Sequence, residues 1–446
     1  MSCFQVAIVG SGPSGLYVAD ALSRKLPQVR IDLIDQLPTP LGLLRGGVAP
    51  DHQATKNIAR QFERVLSKDC VRFIGNVTVG SDVSYSKLKS IYDVVVIAIG
   101  AMTDRRMGIP GEDLAGVYGS GSFVAWYNGM PAARDLEPLL DGPSVVIVGN
   151  GNVALDIARL LGKTEEELAK SDLSSHARLK LAATAITDIW LVGRRGPLDS
   201  GFTPAELSEF NDLARVITVV DRTQLPPQAP YDMPEERRRL VEKNLGLLRG
   251  FSVGSEQAEK TIRLHFLFNA APVEVLGETR ARRLKLEKTR VENGVALMTG
   301  DTFEICADTL ISAIGYRSAP FPGLPFDDQR GIVINVQGRV EPGVYTAGWC
   351  KRGPQGVIPT NRTDALGVAD LILEDISESM SPGKAGGVEL DRLLAERGVR
   401  VVDLAGWQKI NVAEIARGAA TARPREKFTR VAELLEVAAS GTGPGE

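Results

Sequence analysis

The chain has 446 residues, of which 43% are hydrophobic and 24% are charged, a balance typical of globular proteins with buried cores. The 52 Lys and Arg residues nearly match the 55 Asp and Glu residues, which argues against a nucleic-acid binder, because such proteins usually carry a large basic excess. The four cysteines are widely separated and lack CxxC or metal-ligand spacing, which argues against a disulfide relay, a structural metal and an iron–sulfur cluster.

Short apolar segments that end at glycine alternate with segments of helical periodicity, and these short runs predict strands buried on both faces. The predicted elements are strand 4–10, helix 14–26, strand 30–34, strand 93–99, strand 144–149, a helix to 161, strand 189–193, strand 309–315 and strand 344–348. This alternation predicts an α/β protein with parallel, doubly wound sheets. The N-terminus lacks a basic leader and no apolar run reaches about 18 residues, so we expect a cytoplasmic protein without membrane insertion.

The first strand is followed by the glycine-rich turn Gly10-Ser-Gly12-Pro-Ser-Gly15, and Asp35 ends the second strand. In a dinucleotide-binding turn, the first glycine allows a tight turn and the second allows close approach of a pyrophosphate. The third allows the helix to pack closely on the strand, and the acid accepts hydrogen bonds from a ribose. A purely structural turn is the alternative, but strand, turn, helix and acid follow in the required order.

A second turn, Gly149-Asn-Gly151-Asn-Val-Ala154, also follows a buried strand and opens a helix. Alanine is an accepted variant at its third position. After the next strand, Arg194 and Arg195 stand where the first unit has an acid, and guanidinium groups there suit the 2′-phosphate of NADPH. A solvated surface pair is the alternative interpretation.

Two dinucleotide sites in one chain imply that one of them holds a tightly bound redox carrier, so we expect FAD at the first turn and NADPH at the second. Strands like those of the first domain return after residue 316. The predicted domains are therefore an FAD-binding domain, 1–105 and 317–446 with a C-terminal extension, and an inserted NADP-binding domain, 106–316.

The runs LPTPLGLLRGGVAPDH (37–52), GNGNVALDIA (149–158), VGRRGPLDSGFTPAEL (192–207) and AGWCKRGPQGVIPTN (347–361) resemble motifs of the adrenodoxin-reductase family. Its members are FAD-containing ferredoxin–NADP reductases. The resemblance implies two Rossmann-like, three-layer domains of the glutathione-reductase type. The chain departs from the pattern in three places, with Asp35 for a frequent glutamate, Cys350 for an aliphatic residue, and Pro359 for a glycine, where we expect a stiffer loop.

The resemblance also implies site residues. FAD would contact Ser14, Asp35, Leu43, Val79, Trp349 and the Gly356-Val357-Ile358 turn. NADPH would contact Arg105, Asn150, Gly151, Asn152, Val153, Arg194, Arg195 and Glu206, with Gly356 also facing the nicotinamide.

Three side chains have both a structural and a functional interpretation. The Trp349 indole would form a flat wall along the flavin or pack in the core. His52 would cap a helix or relay protons during one-electron steps, because an imidazole titrates near neutral pH. Glu206 would orient the nicotinamide or favour a helix start after Pro204. His52 and Glu206 are the predicted catalytic residues.

A predicted helix carries the basic run Arg237-Arg238-Arg239. Such runs are usually solvated, but the family docks an acidic iron–sulfur ferredoxin with basic residues in this region. Lys351 and Arg352 are the second candidate for docking.

The sequence thus predicts an NADPH:ferredoxin oxidoreductase, in which hydride passes from NADPH to FAD and single electrons pass to a ferredoxin. Such a ferredoxin would have an adrenodoxin-like role and would supply electrons to a cytochrome P450 or another oxygenase. The missing CxxC disfavours a disulfide reductase. A flavin-dependent NADPH monooxygenase or oxidase is the second alternative, because such enzymes share both turns, but the FxGxxxH segment of their best-known branch is absent from this chain. A non-catalytic nucleotide-sensing module is the third alternative.

Overall fold

The computed structural model describes residues 3–251 and 260–440. Its strands, in chain order, are β1 Phe4–Val9, β2 Val29–Ile34, β3 Val71–Ile74, β4 Val94–Ile97, β5 Thr103–Asp104, β6 Val117–Gly119, β7 Ser144–Val148, β8 Asp188–Val192, β9 Val216–Val220, β10 Ile262–Leu267, β11 Ala270–Leu276, β12 Arg283–Glu292, β13 Val295–Cys306, β14 Thr309–Ser312, β15 Tyr316–Arg317, β16 Phe326–Asp327, β17 Ile332–Val333, β18 Arg339–Glu341 and β19 Val344–Thr346.

The α-helices are α1 Pro13–Lys25, α2 Leu43–Gly46, α3 Gln53–Lys56, α4 Ala59–Leu66, α5 Tyr85–Ile91, α6 Ser120–Tyr127, α7 Asn152–Gly162, α8 Glu165–Leu168, α9 Ser175–Ala182, α10 Pro204–Ser208, α11 Glu235–Phe251, α12 Trp349–Arg352, α13 Ile358–Ser379, α14 Gly387–Glu396, α15 Leu404–Ala419 and α16 Val431–Ala439. Short 3-10 helices span Pro131–Ala133, Pro197–Asp199, Glu209–Asp212 and Arg222–Gln224.

The described residues divide into two compact units. Unit 1 contains residues 3–103, 128–134 and 316–440, and unit 2 contains residues 104–127 and the described part of 135–315. The segment 128–134 therefore lies in unit 1, whereas the predicted domain boundaries placed it in the inserted domain. Which dinucleotide each unit binds stays a prediction.

Unit 1 contains a six-stranded sheet in the order β18-β19-β4-β1-β2-β3. Its strands pair in parallel except for the antiparallel pair β18–β19. Val6 and Ile8 face a core shared with α1, α4, α13 and α15, whereas Ala7 and Val9 face a second core shared with α5 and α14. Since alternate residues of β1 enter different cores, this sheet is covered by helices on both faces.

Unit 2 contains a six-stranded parallel sheet in the order β6-β14-β7-β8-β10-β9. The antiparallel sheet β11-β12-β13 covers one of its faces, with Leu284 and Leu286 packed in one core with Val146 and Val148. The predicted parallel α/β fold is confirmed, while this antiparallel sheet was not predicted. Across the described residues, no helix is both long enough and apolar enough to cross a membrane.

Candidate nucleotide-binding sites

The first glycine turn connects β1 to α1, and two of its glycines are required by the fold itself. Gly10 has φ +106°, and a Cβ there would overlap the carbonyl oxygen of Ala98. A Cβ on Gly15 would overlap the carbonyl oxygen of Gly10. Gly12 is different, because its backbone is extended and a Cβ there would lie 3.7 Å from its nearest neighbour, the Gly42 Cα. The fold leaves room at Gly12 for close approach of a ligand.

Asp35 fixes the conformation of this turn. Its Oδ2 accepts hydrogen bonds from the Ser11 backbone N–H at 2.9 Å and from the Ser11 hydroxyl at 2.6 Å, and its Oδ1 accepts one from the Leu37 N–H at 3.0 Å. Burial raises the pKa of Asp35, and these three donors oppose that rise. The carboxylate thus has a structural role, and the predicted contact with a ribose stays a prediction.

Three of the sequence motifs meet at the first turn. A Cβ on Gly42 would lie 2.9 Å from the Gly12 Cα, and Leu41 donates its N–H to the Ser11 carbonyl at 3.0 Å. Gly348 has φ +78°, and a Cβ there would overlap the Ser14 hydroxyl. The structure therefore brings together the glycine turn (residues 10–15), the PLGL turn (residues 40–43) and the GW motif (residues 348–349).

Trp349 begins α12 directly after Gly348. Its ring stacks beside Tyr316, with ring centroids 6.3 Å apart and an interplanar angle of 28°. The indole Nε1–H is buried and has no hydrogen-bond partner among the described residues. A buried donor without a partner is costly, so this N–H is suited to an acceptor supplied by a bound group. Sequence reasoning did not find Tyr316.

The other residues predicted for unit 1 differ in exposure. Leu43 is half-buried at the start of α2, and Val79 is buried in the hydrophobic core that also contains Cys350. Gly356 and Val357 form an exposed turn before α13, and Ile358 is the first residue of that helix. The structure therefore brings Ser14 and the GW motif together, while the Gly356–Ile358 turn stays open to solvent.

The three departures from the family pattern have local explanations. Pro359 lies in the first turn of α13, where its missing N–H is not needed. The Cys350 thiol donates to the Ile97 carbonyl at 3.3 Å, and burial raises the pKa of this thiol, so Cys350 acts as a small core residue. Asp35 uses its carboxylate to hold Ser11 and Leu37.

Lys351 and Arg352 both form ion pairs with an acidic residue of unit 1. The Lys351 ammonium lies 2.9 Å from Asp364, and the Arg352 guanidinium lies 3.2 Å from the same carboxylate. Asp364 also accepts the Gly348 N–H at 2.6 Å. These two cations therefore brace the GW motif and are poorly placed to attract a partner protein.

The second glycine turn repeats the logic of the first in unit 2. Gly149 has φ +145°, and a Cβ there would overlap the Ala313 carbonyl, while Ala154 is fully buried in α7. A Cβ on Gly151 would meet no described residue within 4 Å, and α7 begins after Gly151 without a side-chain cap. The open space at Gly151 suits the phosphates of a dinucleotide at a helix N-terminus.

The GFTP segment is held against the second turn. Gly201 donates its N–H to the Asn150 carbonyl at 2.7 Å, and Thr203 donates its N–H to Asn152 Oδ1 at 2.9 Å. The Asn150 side chain lies against Gly193, where a Cβ would overlap it. These contacts fix both asparagines, and Val153 lies half-buried beside them.

The predicted arginine pair is accessible. The Arg194 side chain is exposed and makes no side-chain hydrogen bond or ion pair with any described residue. The Arg195 guanidinium reaches Asp199 at 3.9 Å, and Arg237 approaches the same Asp199 oxygen at 3.5 Å. Ion pairs between partly exposed groups are weak, so the contact with Asp199 leaves Arg195 available for an anion, and Arg194 is available as well.

Glu206 is held by a buried arginine that sequence reasoning missed. Arg159 is fully buried, and its guanidinium contacts Asp156 at 2.7 Å, Glu206 at 3.1 Å and Glu209 at 3.1 Å. The Thr203 hydroxyl caps α10 by accepting the Glu206 N–H at 3.4 Å. These contacts give Glu206 a structural role, and its catalytic role stays a prediction.

The remaining candidates lie beside secondary-structure elements or in their first turns. His52 is half-buried and precedes α3, and its carbonyl accepts the Lys56 N–H at 3.2 Å. Arg105 is half-buried, and its N–H donates to the Gly315 carbonyl at 3.1 Å. The basic run lies in the first turns of α11, where Arg237 and Arg239 are exposed and Arg239 pairs with Glu235.

These features define a class of protein, a two-domain dinucleotide-binding protein of the pyridine-nucleotide oxidoreductase type. A family profile described as "Pyridine nucleotide-disulphide oxidoreductase" matches residues 4–195. The mitochondrial NADPH:adrenodoxin oxidoreductase of Arabidopsis thaliana is 40% identical, over 98% of this chain and 95% of that protein. NADPH-ferredoxin reductase FprA of Mycobacterium tuberculosis (strain ATCC 25618 / H37Rv) is 38% identical, over 98% of this chain and 99% of that protein.

A solved structure of Mycobacterium tuberculosis FprA in complex with NADPH superposes with a TM-score of 0.93 at 37% identity, covering 98% of this chain and 100% of that chain. The chain belongs to the family of NADPH:adrenodoxin oxidoreductases and NADPH-ferredoxin reductases. The resemblance read from the sequence motifs is therefore confirmed.

Proposed function

We propose that this protein is an FAD-dependent NADPH:ferredoxin oxidoreductase. The observation that carries this proposal is similarity over nearly the whole chain, 38% identity across 98% of its length, to an enzyme named as an NADPH-ferredoxin reductase. Two glycine turns, each followed by a helix whose N-terminus has no side-chain cap, support it, because a reductase of this kind needs one site for a bound flavin and one for the coenzyme.

In unit 1, Gly12 and Ser14 would lie along the FAD pyrophosphate, Asp35 would accept from the ribose, and Leu43 and Val79 would line the cofactor. Trp349 would donate its Nε1–H to the flavin, and Gly356, Val357 and Ile358 would lie along it. The lack of a partner for the indole N–H among the described residues supports this fit. FAD, when bound, supplies the conversion of two-electron hydride chemistry into single-electron transfer.

In unit 2, the open Gly151 and its neighbours Asn150, Asn152 and Val153 would bind the NADPH pyrophosphate. Arg194 and Arg195 would bind the 2′-phosphate, and their exposure supports this role. The remaining coenzyme contacts follow the family pattern and comprise Arg105, Glu206 and Gly356. His52 is proposed to hold and release a proton at its imidazole during one-electron steps.

The partner is an iron–sulfur ferredoxin, and we propose that an acidic ferredoxin docks transiently on Arg237, Arg238 and Arg239. Arg237 and Arg239 stay exposed although each pairs with an acid, Asp199 and Glu235, and this exposure supports the face. Lys351 and Arg352 are much less exposed in their contacts with Asp364, which makes the second candidate weaker. A cytoplasmic location stays a prediction, since one relative is named as mitochondrial.

The test is NADPH-dependent reduction of cytochrome c by the FAD-loaded protein, with and without an added ferredoxin. We expect fast reduction only when ferredoxin is present, while ferricyanide is reduced without it. NADPH oxidation coupled to oxygen consumption and indifferent to ferredoxin would instead indicate a monooxygenase or oxidase. Absence of NADPH oxidation with every acceptor would indicate a nucleotide-sensing module.

Gly151→Ala is expected to weaken NADP⁺ binding about tenfold or more without lowering the melting temperature of the protein. The added methyl meets no atom of the described residues, and the φ of −115° suits any residue, so a loss of affinity would come from the ligand. Gly246→Ala is the matched control, because Gly246 is exposed in α11 and a Cβ there also meets none of the residues that the structure describes within 4 Å. Calorimetric titration checks this, and unchanged affinity in Gly151→Ala would place the pyrophosphate elsewhere.

Trp349→Phe is expected to weaken FAD binding several-fold while leaving the melting temperature of the apoprotein equal or higher. The variant keeps an aromatic ring but removes a buried N–H that has no partner among the described residues. The apoprotein is therefore freed from the desolvation cost of that donor. Flavin fluorescence titration and calorimetry measure the two quantities. Unchanged FAD affinity would show that the indole N–H does not bind the cofactor.

A further inference from the structure

A buried ion pair in unit 1 connects α15, in the C-terminal extension that follows α13, to α2, which begins at the last residue of the PLGL turn. Arg45 of α2 donates to Glu414 of α15 through both terminal nitrogens, at 2.7 Å and 2.5 Å. The Arg45 side chain is 8% exposed and the Glu414 side chain is completely buried. Sequence reasoning assigned neither residue a role.

The Glu414 carboxylate is saturated with donors from the extension as well. Arg425 donates to its Oε2 at 2.8 Å and the Phe428 N–H donates to its Oε1 at 3.0 Å. Burial alone would raise the pKa of Glu414, but Arg45 and Arg425 outweigh that effect and lower it, so the carboxylate stays ionised. Four donors therefore fix the orientation of this carboxylate.

The extension holds the backbone of the same turn. The buried Lys427 ammonium donates to the Arg45 carbonyl at 3.1 Å and to the Asn128 carbonyl at 3.1 Å. The Arg45 guanidinium also lies over the Trp407 ring of α15, 5.4 Å from its centroid. Side chain and backbone of Arg45 are thus both fixed by residues of the C-terminal extension.

The geometry points to a role in cofactor binding for this contact. Arg45 lies in α2, two residues after Leu43, and α2 directly follows Gly42, which abuts Gly12 of the first glycine turn. Burying two ions costs free energy, and apolar side chains in their place often stabilise a core equally well. An arginine fork differs from apolar side chains because it imposes one orientation on its partner. We propose that Glu414, acting through Arg45, is a positioning residue that holds the PLGL turn in its FAD-binding conformation.

This inference rests on the proposed function, because it assumes that the turn contacts FAD. Its test is the FAD dissociation constant of folded apoprotein, measured by fluorescence titration well below the melting temperature of each variant. Glu414→Gln keeps the size of the side chain but removes its charge, and we expect it to raise the dissociation constant about tenfold or more. NADP⁺ affinity, for which most of the proposed contacts lie in unit 2, is expected to stay within about twofold of the parent value.

The matched control is Asp32→Asn. Asp32 is likewise buried in unit 1 and paired through both oxygens with an arginine, Arg72, at 2.9 Å and 3.0 Å, but this pair joins β2 to β3. We expect Asp32→Asn to lower the melting temperature and to leave the FAD dissociation constant within about twofold of the parent value.

If Glu414→Gln does not fold, FAD binding is measured instead in a double variant that removes both charges of the pair. Arg45→Met/Glu414→Met replaces the pair with apolar side chains, so neither of its two charges is left buried alone. Arg425 loses the Glu414 carboxylate but is partly exposed and keeps its hydrogen bond to Asn411 Oδ1 at 2.6 Å. We expect it to fold and to bind FAD about tenfold more weakly. Parent-like FAD affinity in the folded variants, or an equal loss in Asp32→Asn, would overturn the inference. Parent apoprotein that takes up no FAD would instead contradict the proposed function.

Discussion

Replacing Arg194 and Arg195 with glutamine is expected to raise the Michaelis constant for NADPH about ten- to hundredfold and to change that for NADH little. Each charge-assisted hydrogen bond to a phosphate is worth about 1.5–3 kcal/mol, and NADH has no 2′-phosphate to lose. The pair can act in this way because Arg194 is exposed and Arg195 has only a weak contact with Asp199. Steady-state kinetics with both coenzymes measure the difference.

Arg282→Gln/Arg290→Gln is the matched control for this pair. Both arginines are largely exposed in unit 2, at 59% and 65% of the side chain, and they precede or lie in β12 of the antiparallel sheet. Removal of these two charges should leave both Michaelis constants close to the parent values. An equal rise for NADPH and NADH in the Arg194/Arg195 variant would mean that the pair only maintains the structure of the loop.

Reversing Arg237, Arg238 and Arg239 to glutamate is expected to reduce ferredoxin-linked turnover at low ionic strength at least about tenfold. Opposite charges accelerate association, and an acidic ferredoxin would then meet a repelling surface. High salt should lower the parent rate in the same way, since charges are screened within about 10 Å at 0.1 M. Ferricyanide reduction, which needs no docking, should change much less.

The matched control is Arg282→Glu/Arg283→Glu/Arg290→Glu, which changes the net charge by the same amount on another surface of unit 2. It separates local docking from a general effect of charge. If the two triple variants slow ferredoxin turnover equally, the attraction is a property of the whole surface. If the Arg237 variant keeps the parent rate and salt dependence, the exposed face of α11 is only solvated.

The central strands and the first turns of the two nucleotide sites were predictable from sequence because their physical requirements are local. β1, β7 and β14 are short apolar runs, and Gly10 and Gly149 must adopt positive φ directly after a strand end. The antiparallel sheet was missed because β13 is largely exposed and its residues do not alternate clearly between polar and apolar.

The parts of the site that were not predicted from the sequence depend on contacts between residues that are distant along the chain. Arg159 reads as an ordinary helical arginine, and only the approach of α10 places Glu206 beside it. Arg45 and Glu414 are separated by 369 positions, so no local pattern links them. The family motifs identified Trp349, but the environment of its N–H and its stacking on Tyr316 become visible only when the backbone is folded.

The discontinuity of unit 1 has a consequence for the order in which the chain folds during synthesis. All strands of the parallel sheet in unit 2 lie between residues 117 and 312, whereas β18 and β19, which complete the sheet of unit 1 beside β4, end only at residue 346. A nascent chain that has emerged just past β15 therefore has one sheet complete and the other with its β4 edge uncovered. The sheet of the inserted unit can therefore be completed during synthesis before the N-terminal strands obtain their last partners, β18 and β19.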